Sequence, residues 1–228
     1  MKFPLLLATL AFAFAASAQG AHVTRIVLVT GGKAGAEQAG FYEAVALGLY
    51  KQRGLEVTIR AGDPDLAKRL AGGNFTLAPD CGAVLDLVKA GVPARAVMAV
   101  FQKGPGGGYA NLVLAPQRWI DKKPVAVQAF YDASRDGWRA YLENDPRPAD
   151  ALIERDNPAT NAALLAQARA RMESVADTGD TIAFGIGAMT AQRWRLFFEH
   201  AQGKYPKDLP YRNAYDLTFM RNAPQYFQ

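Results

Sequence analysis

In this 228-residue chain, two carboxylates and one glycine-rich loop are the features whose residue types and positions could support catalysis or ligand binding. Asp63 and Asp80 each follow a run that predicts a strand, and carboxylates at strand ends can act as a general acid and base, although nothing in the sequence fixes their separation. The loop GGKAGAEQAG (31–40) also follows such a run and opens a helix, as phosphate-binding loops do. It lacks both the Gly-Lys-Ser/Thr ending and the Gly-x-Gly-x-x-Gly spacing, so it is predicted to face a ligand without cradling a phosphate.

Other catalytic arrangements are disfavoured. After the first twenty residues serine occurs only at Ser134 and Ser174, both within helical patterns, and no Gly-x-Ser-x-Gly motif is present. His22 and His200 lie far apart with no Cys or His at ligand spacing, which disfavours a zinc site, and His200 falls where a helix is predicted to end. We therefore expect no catalytic residue, no metal ion and no cofactor.

The N-terminal residues predict export. Lys2 precedes an apolar run of 3–16, and Ala16-Ser17-Ala18 has the small-residue pattern of a cleavage site, so residues 1–18 are interpreted as a secretory signal peptide. A lone Cys81 allows no intrachain disulfide, and a periplasmic location fits best. No later segment approaches a membrane-spanning length, so the chain is not expected to span a membrane. The net charge of +5 is dispersed, which disfavours a nucleic-acid partner.

The elements that must position these residues follow an α/β order. Strand patterns alternate with helix patterns through residue 101, which predicts a parallel sheet with right-handed crossovers, followed by one more strand and a helical C-terminal half. The predicted strands are 25–30, 55–60, 75–79, 94–101 and 109–115. The predicted helices cover about 37–53 (stopped at Gly54), 64–70, 82–91, 124–142, a short segment after Pro148, 164–175 and 190–201. Their aromatic stripes are interpreted as core.

Five collinear segments carry a resemblance to a known family. They are GFYEAVALGLYKQRGLEVTIRAGDP (40–64), GVPARAVMAVFQK (91–103), IDKKPVAVQAFYDASRDGWRAYL (120–142), ALIERDNP (151–158) and GIGAMTAQRW (185–194). Together they resemble periplasmic substrate-binding proteins of ABC importers, in the nitrate/sulfonate/taurine and thiamine-pyrimidine-precursor group, which have the type II periplasmic-binding-protein fold. The resemblance implies two α/β lobes with the ligand held between them.

One departure from that family concerns the glycine run GPGGG (104–108). Family members carry a second lobe, about the size of a small domain, between the exit at residues 101–103 and the returning strand. Here only the glycine run intervenes. We therefore expect lobe 1 (19–103), a glycine seam replacing lobe 2 (104–108), and a return strand with C-terminal helices that pack on lobe 1 (109–228).

The ligand site is expected in the loops after the first three strands, because ligands of doubly wound sheets bind outside the carboxyl ends of the strands. Glycines would let the backbone approach a ligand, and Phe41 or Tyr42 could stack on a flat one, although Phe41 also suits the core. The predicted ligand-binding residues are Thr30, Gly31, Gly32, Glu37, Gln38, Gly40, Phe41, Tyr42, Gly62, Asp63, Pro64, Pro79, Asp80 and Cys81.

The predicted charge at the opening of this ligand site favours one ligand class. Glu37, Asp63 and Asp80 would surround it with three carboxylates, which repel nitrate or a sulfonate and favour a donor-rich heterocycle such as an aminopyrimidine. The resemblance implies a permease and an ATPase of an ABC importer as partners.

Two alternative functions stay open. A eukaryotic branch of this fold makes the thiamine pyrimidine with a histidine, a cysteine cluster and a lysine-bound pyridoxal phosphate, whereas this chain offers Lys33 but no cysteine cluster and no loop histidine. The missing lobe also raises the alternative of a one-lobed, non-transporting or decayed relative.

Overall fold

The computed structural model describes residues 23–201 and 203–220, and the predicted signal peptide lies outside these residues. Within them, all the strands form one five-stranded sheet in the order β2-β1-β3-β5-β4. The strands are β1 (Thr24–Thr30), β2 (Leu55–Ala61), β3 (Phe75–Asp80), β4 (Ala94–Phe101) and β5 (Ala110–Pro116). The architecture is mixed α/β, as predicted.

The four strands predicted to form a parallel sheet run in one direction, as expected, whereas β5, whose direction was not predicted, runs against them. β1 pairs in parallel with β2 and β3, but β5 lies antiparallel between β3 and β4. The physical reason is the short connection of residues 102–109: a tight turn joins antiparallel neighbours, whereas parallel neighbours need a crossover of a dozen residues or more. The strands 94–101 and 109–115, predicted to be adjacent, are paired neighbours.

Nine α-helices accompany the sheet in the described part of the chain. They are α1 (Ala39–Ala46), α2 (Leu66–Ala71), α3 (Cys81–Lys89), α4 (Gln117–Lys122), α5 (Pro124–Glu143), α6 (Arg147–Asp156), α7 (Ala162–Ala176), α8 (Asp180–Phe184) and α9 (Ala191–His200). Two short ones, α4 and α8, were not predicted. Thr190 accepts a hydrogen bond from Arg193 N at 3.3 Å and so caps α9, as the sequence indicated.

The first predicted helix is shorter than expected. α1 ends at Ala46, and Gly48 follows with a left-handed backbone (φ 67°), so residues 47–53 form turns and a short 3₁₀ helix. Gly54 has φ 73° and closes this segment, as predicted. The left-handed Gly48 cannot continue an α-helix, which explains why the periodic pattern overestimated its length.

A cluster of aromatic rings joins the sheet to α5. Phe130 lies against Phe41, Tyr50 and Phe75, with ring centroids 4.9–6.4 Å apart. α5 can approach α1 closely because Gly40 lies against Trp138: a Cβ at Gly40 would be 2.2 Å from the indole ring. These contacts fix α1, and the loop before it, relative to the sheet.

The glycine seam is packed against α9. Arg193 donates hydrogen bonds to the carbonyl groups of Gln102, Gly107 and Gly108, with 3.1 Å to each of the two glycines. Its guanidinium also lies 4.3 Å from the centroid of the Tyr109 ring. The connection between β4 and β5 is thus held by one side chain from the C-terminal half.

The outer edge of β4 is covered by C-terminal segments. Ala99 N donates to Gly187 O at 3.1 Å, and Asp216 N donates to Ala96 O at 2.9 Å. These bonds occupy backbone groups that an edge strand would otherwise expose. The C-terminal half therefore completes this side of the sheet.

Candidate functional site

An open cleft of about 530 Å³ lies at the carboxyl ends of β1, β2, β3 and β4 and at the start of β5. This is the position at which open α/β sheets bind ligands, and the volume falls within the range of small-molecule sites. It is bordered by the loops after β1 and β2, by the last residues of β3 and β4, and by the first residues of β5. The cleft is lined by Gly31, Gly32, Lys33, Glu37, Gln38, Pro64, Arg69, Leu77, Ala78, Pro79, Phe101, Ala110 and Asn111.

The first loop is ordered by its own hydrogen bonds. The hydroxyl group of Thr30 donates to Gly32 O at 2.7 Å, and Gly35 N donates to Gln38 Oε1 at 2.8 Å. Thr30 itself is buried, so it shapes the loop from beneath rather than facing the cleft. Gly31 and Gly32 are exposed and present their backbone to the cleft.

Arg69 is the most unusual residue of the cleft, because its charged side chain is buried with only 5% exposure. Its Nε donates to the hydroxyl group of Thr76 at 2.7 Å, and Nη2 donates to Leu77 O at 3.0 Å. Nη1 donates to Asp63 O at 2.8 Å and to Pro64 O at 3.2 Å. Burial lowers the pKa of this guanidinium, and nearby carboxylates oppose that effect. Arg69 therefore ties α2 and β3 to the loop after β2.

Asn111 marks the start of β5 at the cleft. It is the one non-glycine residue with positive φ (51°) in the described part of the chain, a conformation that asparagine tolerates better than most residues. Its Nδ2 donates to Glu37 O at 2.7 Å. This bond links the first loop to β5 and holds the two walls of the cleft together.

The charge of the cleft differs from the sequence-based expectation. Of the three predicted carboxylates, only Glu37 lines the cleft, together with the cations Lys33 and Arg69. Asp63 accepts a hydrogen bond from Asp65 N at 2.8 Å, and this bond lowers its pKa. The three carboxylates are therefore not brought together around this cleft.

Asp80 also has a structural role that corrects its predicted position. Its carboxylate caps α3 by accepting a hydrogen bond from Ala83 N at 2.9 Å. Cys81 follows it in the core with no exposed surface, and burial raises the pKa of its thiol to about 12. Neither residue lines the cleft.

Four other predicted residues also lie outside the cleft lining. Phe41 is fully buried against Phe130 and Trp138, so it packs in the core and cannot stack on a ligand. Tyr42 is buried and donates to Asp156 Oδ2 at 3.0 Å. Gly40 and Gly62 serve close packing: a Cβ at Gly62 would lie 2.2 Å from Val29 Cγ1.

Six of the predicted residues are brought together at the cleft, and several other lining residues were not predicted. Gly31, Gly32, Glu37, Gln38, Pro64 and Pro79 all line the cleft. Arg69 was missed because it reads as part of the polar surface of a short helix, LAKRLA. Phe101 and Asn111 were missed because they belong to the two strands whose ends were assigned to the seam. The positive φ tolerated by asparagine was the one signal that could have indicated Asn111.

Two searches of the described residues gave negative results. No group of three or more His, Cys, Asp or Glu side chains in residues 23–201 and 203–220 is arranged to hold a metal ion. Over the same residues, no helix combines the length and apolar character needed to cross a bilayer.

Comparison with known proteins identifies the fold. No protein-family model and no curated protein sequence matches the chain. A solved protein from Bordetella bronchiseptica RB50 is 13% identical, with a TM-score of 0.65 over 87% of this chain and 96% of that chain. The ligand-binding component of an ABC-type import system from Staphylococcus aureus, solved with zinc bound, is 10% identical, with a TM-score of 0.60 over 88% of this chain and 99% of that chain. At such identities the likeness shows the fold, which is that of periplasmic-binding-protein-like α/β chains.

Proposed function

We propose that this protein is a non-catalytic, periplasmic solute-binding protein that delivers a small molecule to the permease and ATPase of an ABC importer. The observation that carries the proposal is the cleft at the carboxyl ends of the strands, where two βα loops, the end of β3 and the start of β5 converge. The printed description of the Staphylococcus aureus neighbour, a ligand-binding component of an import system, supports it through the shared fold.

The single sheet sets the kind of binding to be expected. Two-lobed receptors close around a ligand and exclude water, whereas this cleft is open and lies at the edge of the one sheet that the described residues form. A ligand held by one wall keeps an exposed face, and every 1.4 kcal/mol of lost contact weakens binding about tenfold. We therefore propose that the protein binds its solute weakly and releases it readily.

The proposal keeps the nitrate/sulfonate/taurine and thiamine-pyrimidine group as ligand candidates. Preference for an aminopyrimidine rested on Glu37, Asp63 and Asp80, of which only Glu37 lines the cleft. Lys33 and Arg69 outnumber Glu37 there, so charge now favours the acidic members of that group.

Calorimetry on the purified exported protein tests the proposal with a panel of taurine, nitrate, small carboxylates and aminopyrimidines. The matched blocking variant is Gly32→Trp, because no atom lies within 4 Å of the position of a Cβ at Gly32. Binding that Gly32→Trp abolishes supports the cleft as the site. Leu164→Trp, at a half-exposed position on α7 outside the cleft lining, is the control and should bind normally. Binding unaffected by Gly32→Trp, or no binding at all, would contradict the proposal.

A non-transporting, ligand-sequestering protein is the second candidate, favoured by the seam that joins β4 directly to β5. Reconstitution distinguishes the two: solute uptake by vesicles that contain the cognate permease and ATPase should depend on this protein only if it serves transport.

A further inference from the structure

We propose that Arg69, which the lack of a side chain at Gly31 leaves open to the cleft, makes the cleft select solutes that carry an anionic group. This inference rests on the proposed solute-binding function and adds the chemical class of the ligand and the residue that determines it.

The positive charge of Arg69 has no negatively charged hydrogen-bond partner in the described part of the chain. All four of its hydrogen bonds go to neutral groups, namely one hydroxyl and three backbone carbonyls. Among the described residues, no carboxylate lies within ion-pair distance of its guanidinium. A buried charge without a counter-charge is costly, because desolvation is not offset by attraction to an opposite charge. An anionic ligand would supply that counter-charge.

The nearby carboxylates are engaged elsewhere. Asp65 Oδ1 caps α2 by accepting hydrogen bonds from Ala67 N and Lys68 N at 2.8 and 3.1 Å. Asp63 Oδ2 lies 3.6 Å from Lys68 Nζ on the exposed side of α2. Asp63 offers Arg69 its backbone carbonyl and not its carboxylate. The geometry of the loop therefore keeps both acids away from the guanidinium.

The guanidinium of Arg69 can be reached from the cleft beside Gly31. A Cβ on Gly31 would lie 2.8 Å from Arg69 Nη1 and 3.6 Å from Nη2. Gly31 is exposed and lines the cleft, so the absence of its side chain leaves the guanidinium uncovered there. The backbone of Gly31 is not in the left-handed region, so conformational freedom alone does not explain a glycine at this position.

The guanidinium of Arg69 is held rigidly by its hydrogen bonds. A guanidinium has five N–H donors, and the four hydrogen bonds fix its plane while leaving one N–H of Nη2 without a partner in the described structure. Because the guanidinium is already held in place, Arg69 loses no further side-chain conformational entropy when a ligand binds. Glu37 at the rim repels anions, but it is exposed and therefore screened by solvent.

The experiment compares matched anionic and neutral probes on the full exported protein by calorimetry. The pairs are nicotinate with nicotinamide, acetate with acetamide, and ethanesulfonate with ethanesulfonamide. We expect the wild-type protein to bind the anion of at least one pair about tenfold tighter than its neutral partner or more, which corresponds to 1.4 kcal/mol.

Two variants separate recognition from folding. Arg69→Gln removes the charge and should bring the affinity ratio of anion to neutral close to one. Gly31→Ala keeps the charge but displaces the guanidinium, and it should lower the ratio even if Arg69→Gln folds poorly. A merely structural role would weaken both members of a pair equally and leave the ratio unchanged.

Two controls match these variants closely. Gly82→Ala adds the same methyl group within α3, at a residue that does not line the cleft, and should keep the wild-type ratio. Lys89→Gln removes one positive charge at an exposed residue of α3 that does not line the cleft, and should also keep it.

The possible outcomes distinguish a failure of the anion selectivity from a failure of solute binding. Wild-type ratios near one, or a ratio that survives in both Arg69→Gln and Gly31→Ala, would overturn the anion selectivity but not solute binding. Cleft binding of a neutral aminopyrimidine in preference to every anion would do the same. If no solute of any charge binds, both the inference and the proposed function fail.

Discussion

Glu43 on α1 is a carboxylate in the core, with 1% exposure, that accepts a hydrogen bond from Ala149 N at 2.9 Å near the start of α6. Burial raises its pKa above the ordinary value of 4.5, although the hydrogen bond opposes this effect. The folded protein therefore holds a proton on Glu43 at pH values where the unfolded chain has released it.

This shift predicts how stability depends on pH. Below the unfolded pKa both states are protonated, and as the pH rises from 4.5 through the folded pKa the free energy of unfolding decreases. Glu43→Gln cannot ionise, so its stability relative to the wild type should increase between pH 4 and pH 7 in urea titrations. Glu56→Gln, at an exposed position, controls for the loss of one charge. A relative stability of Glu43→Gln that falls over this range would contradict the prediction.

The residue scale also shows which predicted residues line the cleft and which do not. Gly31, Gly32 and Pro79 do, because they lie at or directly after the carboxyl ends of strands. Asp80 was misplaced although an aspartate immediately before a helix is a capping signal. Arg69 could not be found, because its burial depends on Thr76 and Leu77, whose positions only the folded chain determines.

At the scale of elements, the seam between β4 and β5 depends on Arg193 of α9. Arg193→Ala would leave three carbonyl groups without this donor and remove the contact with the Tyr109 ring. Because hydrogen bonds to charged groups contribute about 1.5–3 kcal/mol, we expect a loss of about 2–3 kcal/mol in the free energy of unfolding. Urea denaturation measures it.

Arg195→Ala is the matched control for Arg193→Ala on the same helix. Arg195 is exposed and lies 3.7 Å from Glu199, so its replacement should change stability by less than about 0.5 kcal/mol. Equal effects of the two variants would show that the seam does not depend on the contacts of Arg193.

The helices and strands were largely predictable from the sequence, whereas the arrangement of the strands in the sheet was less predictable. The strands and the long α5 were found because their apolar residues repeat with the period of each structure. The antiparallel direction of β5 was not found, because a buried strand has the same apolar run in either direction. The short α8 was missed because five residues carry too little periodicity.

At the scale of the whole molecule, one hydrophobic core includes residues from both halves of the chain. Leu28 of β1, Leu114 of β5, Tyr141 of α5 and Trp194 of α9 all belong to the same buried cluster. Removal of the C-terminal helices would expose the sheet, so the seam does not separate two independently stable parts.

This shared core predicts cooperative unfolding of the chain. We expect one calorimetric transition, with a heat-capacity change of about 2.5–3 kcal/mol/K for roughly 200 residues. The calorimetric and van't Hoff enthalpies should agree. Two resolved transitions would show that the N-terminal and C-terminal portions unfold separately.

The exposed tip of the seam makes this protein a scaffold for a biosensor. Gly106 and Gly107 are exposed, and the connection to which they belong runs between Phe101 and Ala110, which both line the cleft. Exposed loop tips tolerate inserted domains. A circularly permuted fluorescent protein spliced between these two glycines would lie beside the cleft, and if the proposed solute binds there, changes in brightness would report its concentration.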